Sequence, residues 1–498
     1  MGTEQAQSTY DELIDTVRHI SNVKAASGVL GWDQEVMMPP GGTPARAQQK
    51  SALSAVAHEK LTSDEMSSYL DDLDGADLTD EQQAVVREVR LEHDKATAVP
   101  TELIEEISRT TSEAHPVWKE AKANDDFEAF APELENLIDL KRRYAEHIDP
   151  DRDPYEVLFE DYEPYLGIDK AEEVLETLRD ALVPLIEKLN DAGADLASPF
   201  EGTYDTDTQM DLTREALDVL GYDWDRGRLD VAPHPFSTGT QFDARVTTRF
   251  AEDAPFEALT STIHEFGHAF YTLGLPDEHY GTPLGESRDL TVHESQSRLW
   301  ENHVGRSRDF WELFAPTVAD HLGVDATAQE FYEAANQLYP ENLIRVEADE
   351  LTYHMHIILR FEIERDLFSG DLAVEDVPEA WNEKMESYLG VSPETDAEGC
   401  LQDIHWSHGA FGYFPTYSLG SVMAAQLFAT AEADLDDLRG SIQAGEFEPL
   451  SNWLRENVHH HGSRYTTDDL IQKVTGESFT AEYFIDYAER KFGELYGI

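Results

Sequence analysis

Apolar residues recur at three- and four-residue spacing through most of this chain, and that period limits the folds open to it more than any other feature. Residues 9–29, 79–96, 171–192, 343–367 and 479–495 each carry such a stripe with acidic residues between its members. This is the pattern of helices that bury one face and wet the other, so the expected class is mainly α. No repeat period is visible. One region breaks the rhythm: residues 229–250, LDVAPHPFSTGTQFDARVTTRF, combine β-branched residues, an STGT turn signal and alternation through Ala244, Val246 and Thr248. They predict a short β-hairpin. The loop at 192–206 is the best candidate for an internal boundary, although no Pro/Gly/Ser-rich linker divides the chain.

The polar positions between the stripes are strongly biased. The 498 residues hold 102 Asp and Glu against 37 Lys and Arg, a formal charge of −65. A surface this negative repels phosphate backbones and anionic headgroups, which excludes nucleic-acid and membrane-surface partners. Disorder is excluded as well, because 40% of the residues are hydrophobic and 22 Phe, 20 Tyr and 8 Trp are spread along the chain. The basic residues comprise 12 Lys and 25 Arg, and the excess carboxylates have too few partners for internal neutralisation. The simplest account is a protein made for concentrated salt, since at ~1 M the screening length falls to roughly 3 Å. Acidic runs such as 71–80 read as solvated helix ends and loops. A single cysteine, Cys400, and a beginning without a basic or apolar signal region make a cytoplasmic location the expectation. No apolar stretch reaches the ~18 residues of a membrane span.

Chemistry concentrates in residues 255–274, PFEALTSTIHEFGHAFYTLG, where Leu259, Ile263, Phe266 and Phe270 form the buried stripe of an amphipathic helix. His264 and His268 lie four residues apart, so their side chains project within roughly 40° of each other and can grip one ion. Glu265 is offset to reach a water beside it. Zinc suits this donor set, and a catalytic site needs a third protein ligand. The string lacks the HExxHxxGxxH extension, so that ligand is not a nearby histidine. Glu294 is the natural candidate: it lies in HESQSRLWEN, a polar, aromatic and acid-poor stretch of an acid-rich chain.

Several strings in order now point further. LGWDQEVMMPPGG (30–42), YEVLFEDYEPYLG (155–167), HPF (234–236), DARVT (243–247), HEFGH, HESQS, IRVEAD (344–349) and GCLQDIHW (399–406) resemble, nearly end to end, the carboxypeptidase Taq family of thermostable metallocarboxypeptidases within the gluzincin group. The resemblance implies that His264, His268 and Glu294 hold one metal ion per chain and that Glu265 is the general base. Zinc is the expected metal, with cobalt as the alternative. It also implies a single catalytic unit over 1–498. The expected molecule has two helical lobes around a deep groove, a small β-hairpin or sheet lining that cleft, and a homodimeric assembly. Such an enzyme removes C-terminal residues from peptide substrates with broad specificity.

An enzyme acting at the C-terminus must recognise a free carboxylate, which a bidentate arginine does best. Residues 189–383 contain no Lys and 12 Arg. Arg345 is the first candidate, on a helix expected from Leu343, where Arg345, Asp349, Thr352 and His356 would form a polar stripe. The rival reading is an Arg345/Asp349 pair on a solvent face, worth only ~0.3–0.5 kcal/mol. Arg245 is the second candidate. After GCLQDIHW, His408 and Tyr417 stand where related gluzincins place oxyanion donors, Gln402 and His405 are expected in substrate subsites, and Tyr413 reads equally as packing. His234 and His356 read as structural. Two rivals to the carboxypeptidase reading stay open: an endo-acting oligopeptidase and a non-catalytic peptide or metal binder.

Overall fold

A computed structural model describes residues 3–498. The chain begins with helices α1 (Thr3–Val36), α2 (Thr43–Leu61), α3 (Asp64–Leu73), α4 (Asp80–Ala98), α5 (Thr101–Asn124), α6 (Phe127–Ile148), α7 (Pro154–Phe159), α8 (Ile168–Ala192) and α9 (Thr206–Leu220). Strands β1 (Gly227–Val231), β2 (Ser237–Thr240) and β3 (Asp243–Thr248) follow, then α10 (Pro255–Gly274) and α11 (Leu290–Arg298). The remainder is α12 (Arg308–Leu322), α13 (Ala328–Ala335), α14 (Thr352–Ser369), α15 (Val377–Leu389), α16 (Pro415–Asp434), α17 (Leu438–Gln443), α18 (Glu448–Asn457), α19 (Thr467–Thr475) and α20 (Glu482–Tyr496). Helix starts follow local chemistry. Thr79 and Gln82 close a capping box on α4, Thr327 and Glu330 another on α13, and Asp205 and Ser307 cap α9 and α12.

The expected helical class holds, with two local corrections. Residues 343–367 are not one helix: Arg345 sits in a separate 3-10 turn, and α14 starts at Thr352. The cause is Asp349, whose Oδ1 accepts from the N–H groups of Leu351 and Thr352 and whose Oδ2 accepts from Tyr339 N–H, so the residue caps α14 instead of continuing a helix. In the β region, the STGT string is strand β2 itself. The turn falls at Gln241 and Phe242, where the buried Gln241 amide donates to the carbonyls of Pro276 and Gly285. The expected hairpin is β2 antiparallel to β3, and β1 adds to it in parallel, giving the order β1-β3-β2.

Most helices from α5 onward share one large apolar core. The 192–206 loop joins it, since Phe200 stacks near Phe256 and Phe331 at centroid distances of 5.7 and 5.6 Å. Helices α1 to α4 enclose a second core around Leu13, Val17, Met66, Leu70, Val85 and Val89. Between α1 and the β2 edge lies a cleft of about 630 Å³ whose walls include Lys24, Trp32, Thr238, Arg245, Thr272 and His293. Among the described residues, no helix is long and apolar enough to cross a membrane.

Candidate active site

Helix α10 buries the predicted stripe of Leu259, Ile263, Phe266 and Phe270 and leaves His264 and His268 partly exposed on the adjoining face. Gly267, between the two histidines, is required by a close approach. A Cβ there would lie 2.5 Å from Ser297 Cα and 2.6 Å from the Gln296 carbonyl oxygen. This contact draws α11 against α10 and sets Glu294 opposite the histidines. A second close approach locks it, because a Cβ on Gly420 of α16 would lie 2.5 Å from Glu294 Cβ.

Glu294 Oε2 lies 3.7 Å from His264 Nε2 and 3.4 Å from His268 Nε2. Donors at about 2.0–2.2 Å from a tetrahedral ion are spaced roughly 3.3–3.6 Å apart, so this triad fits a small divalent cation such as zinc. The far ring nitrogens are held as such ligands require. His264 Nδ1 is 2.9 Å from Glu301 Oε2, and His268 Nδ1 is 3.1 Å from the His293 carbonyl oxygen, leaving each Nε2 free to ligate. Glu301 lies on a π-helical turn, Leu299–Gly305, that continues α11. Arg298 donates to Glu294 Oε1 at 2.7 Å and to Glu301 Oε2 at 3.1 Å. Burial would push both carboxyls up, but Arg298 together with the histidines at Glu294, and with Arg306 and His264 at Glu301, outweighs it and holds both well below the usual range, so both remain charged. Glu265, buried next to the histidines, is pushed up by burial.

A second cluster adjoins the first. The guanidinium of Arg298 lies 5.0 Å from the centre of the Tyr353 ring, and the Tyr353 hydroxyl accepts from Arg345 Nη1 at 3.0 Å. Arg345 is buried and pairs with Asp403, its Nη2 2.9 Å from Oδ1, while Arg360 holds Oδ2 at 2.7 Å. The i,i+4 pair with Asp349 does not form. Tyr417 and Tyr413 pack edge to face at 5.3 Å, and the charge of Glu294 adds to burial in raising both phenols. His405 packs on Phe414, and burial pushes it down to about 4, so its ring is neutral near pH 7.

The other expected residues are placed unevenly. The Gln402 carboxamide is engaged by the backbone, accepting from Arg345 N–H and donating to the carbonyls of Leu343 and Glu398. Arg245 forks onto Asp243 and covers the Trp32 ring at 4.2 Å, on the cleft wall. His408 is exposed, its ring 4.9 Å from that of His115. Sequence reasoning passed over Arg298, Glu301, Tyr353, Asp403 and Arg360. Only the Glu294/Arg298 spacing of four carried a signal.

A mainly helical molecule with two histidines from one helix and a glutamate from the next around one cation-sized point is, as a class, a metallopeptidase. The comparisons specify it further. The family model of the carboxypeptidase Taq (M32) metallopeptidases matches residues 12–492. Thermostable carboxypeptidase 1 of Thermus thermophilus is 39% identical over 99% of both chains. Carboxypeptidase 1 of Bacillus subtilis is 37% identical over 98% of this chain and 99% of its own. The crystal structure of an M32 carboxypeptidase from Deinococcus radiodurans superposes with a TM-score of 0.95 at 37% identity, covering 99% of this chain and 100% of that one. The chain belongs to the carboxypeptidase Taq (M32) family and is a metallocarboxypeptidase.

Proposed function

We propose that this enzyme releases residues one at a time from the C-termini of peptides, with broad specificity, as a salt-adapted cytoplasmic homodimer carrying one zinc ion per chain. The observation that supports it is the run of contacts from Glu294 through Arg298 and Tyr353 to Arg345, which links a metal-ligating carboxylate to a buried cation. Zinc held by His264, His268 and Glu294 would supply Lewis acidity toward the scissile carbonyl, and cobalt would suit the same donors. Arg345 holds the substrate's terminal carboxylate from the guanidinium edge that Asp403 leaves free, and Arg245 assists from the cleft wall. Glu265 takes a proton from the attacking water and delivers it to the leaving amine. Tyr417 and the neutral His405 donate to the oxygen that gains charge. Gln402 braces Arg345 through its main chain. His408 has no part in this reading, because its exposed ring rests on His115.

Glu265→Gln tests the mechanism: kcat should fall by about 10²–10⁴-fold with bound metal unchanged. Wild-type turnover in that variant overturns it. Peptides with amidated C-termini test the clamp. They should resist hydrolysis, and Arg345→Met should raise KM on free peptides without affecting that resistance. Internal cleavage of amidated peptides would identify an oligopeptidase instead.

A further inference from the structure

The string at 155–167 has no part in the site described so far, yet it ends against the first turn of α11. There the Tyr162 carbonyl oxygen faces Leu290 N–H at 3.5 Å, and Glu163 Oε1 accepts from Thr291 N–H at 2.7 Å. Asp289 Oδ1 accepts from Val292 N–H at 3.2 Å, and its main-chain oxygen accepts from His293 N–H at 3.0 Å. The N–H groups of Leu290, Thr291 and Val292, which have no partner within the helix, are thereby taken, and Glu294 lies two residues further on.

Glu163 and Asp289 thus bring their carboxyl groups to the N–H groups of consecutive residues, and Oε2 of the fully buried Glu163 has no hydrogen-bond partner. A buried carboxyl oxygen beside a second carboxyl group is satisfied only where one of the two carries a proton that bridges them. Asp289 is the acceptor. Its Oδ1 is held by Val292, its Oδ2 accepts from the Thr467 hydroxyl of α19, and Arg288 Nε stands 4.0 Å away. Arg288 itself is held by Glu88 of α4 at 2.8 Å, and Tyr271 of α10 accepts from its N–H. On the α19 side, Asp468 is the other charge that faces Asp289, and Lys170 and Asp469 lie beside Asp468. Glu163, fully buried, faces no cation of its own.

We propose that Glu163 is a positioning residue that acts as a neutral carboxylic acid, donating to Asp289 and accepting from Thr291 so as to fix the helix that presents Glu294. The proposal rests on the assignment of Glu294 as a ligand. Burial and the neighbouring Asp289 charge both push Glu163 well above the usual carboxyl range, in keeping with this role. A glutamine can make both bonds, since its amide nitrogen donates to Asp289 and its oxygen accepts from Thr291. An alanine makes neither.

Glu163→Gln should therefore rescue what Glu163→Ala loses. In the alanine variant, zinc affinity and kcat/KM should fall about tenfold or more. The glutamine variant should match wild type at pH 7 and stay active further into the alkaline range, because it has no shared proton to lose. In the metal-free wild-type protein at pH 7, the infrared spectrum minus that of Glu163→Gln should show the carbonyl stretch of a protonated carboxyl. This reading is independent of the metal and of activity, so it stands or falls separately from the Glu294 assignment. Carboxylate bands in place of the acid band, a glutamine variant as impaired as the alanine one, or an alkaline limb identical to wild type would each overturn the proposal.

Discussion

Glu301 Oε2 lies 2.9 Å from Nδ1 of His264, across the junction between α10 and the turn that follows α11. The carboxylate orients the ring and raises the basicity of Nε2, the nitrogen that faces Glu294. Glu301→Gln should weaken zinc affinity by about 10–100-fold while the fold is retained. Chelator competition followed by circular dichroism checks both halves. Unchanged affinity would mean that the ring is held in place by packing alone.

Asp403 links two arginines, and its ionisation gives stability a defined pH dependence. Burial would push it up, but Arg360 and Arg345 hold it well below the usual carboxylate range. A carboxyl depressed on folding contributes its full stabilisation above the unfolded value of about 4 and loses it as pH falls below that value. Asp403→Asn should cost about 3–5 kcal/mol at pH 7, because two buried guanidinium groups lose their counter-charge. The gap to wild type should narrow as pH drops below about 4. Denaturant midpoints measured from pH 7 downward test the sign, and a gap that widens in acid contradicts it.

Gly420 faces the Cβ of Glu294, the proposed ligand, so Gly420→Ala forces α16 and α11 apart. Overpacking of this kind costs about 1–3 kcal/mol. The distinctive outcome is a parallel loss of metal affinity, which an equal destabilisation placed elsewhere would not produce. Thermal unfolding and metal titration of the same variant separate the two.

The outer face of α8 shows how thinly the charge is balanced: Asp169, Glu172, Glu173, Glu176 and Asp180 lie together, with Arg365 paired to Glu172 and Lys170 to Glu173. The Debye length shrinks from about 30 Å at 0.01 M salt to about 3 Å at 1 M. Thermal midpoints should therefore rise steeply between dilute buffer and molar KCl, and activity should fall on prolonged incubation in low salt. A flat response would remove the link between the −65 charge and salt.

Period and spacing carry local information, and the local parts were legible. The 255–274 helix, its buried stripe and the pairing of His264 with His268 follow from 3.6-residue geometry, and Glu294 stood out against its acid-poor surroundings. The hairpin was visible in its alternation, but the parallel addition of β1 was not, because β1 pairs with a strand more than ten residues away. Arg345 was found by residue type and given the wrong local structure, since apolar spacing continues across Asp349 while that side chain ends any helix there.

The sequence by itself determined the helical class, the charge and the pairing of His264 with His268 beside Glu265, all of which depend on neighbours within a turn or two. Tertiary structure alone decided that Asp403 and not Asp349 pairs with Arg345, that Tyr353 joins Arg298 to Arg345, and that His408 turns toward His115. It also decided that Glu163 and Asp289 reach consecutive N–H groups of one helix start. Each of these relationships brings together residues distant in sequence or separated by a break in regular structure. Only the packing of helix on helix, through close approaches such as those at Gly267 and Gly420, fixes which side chains meet.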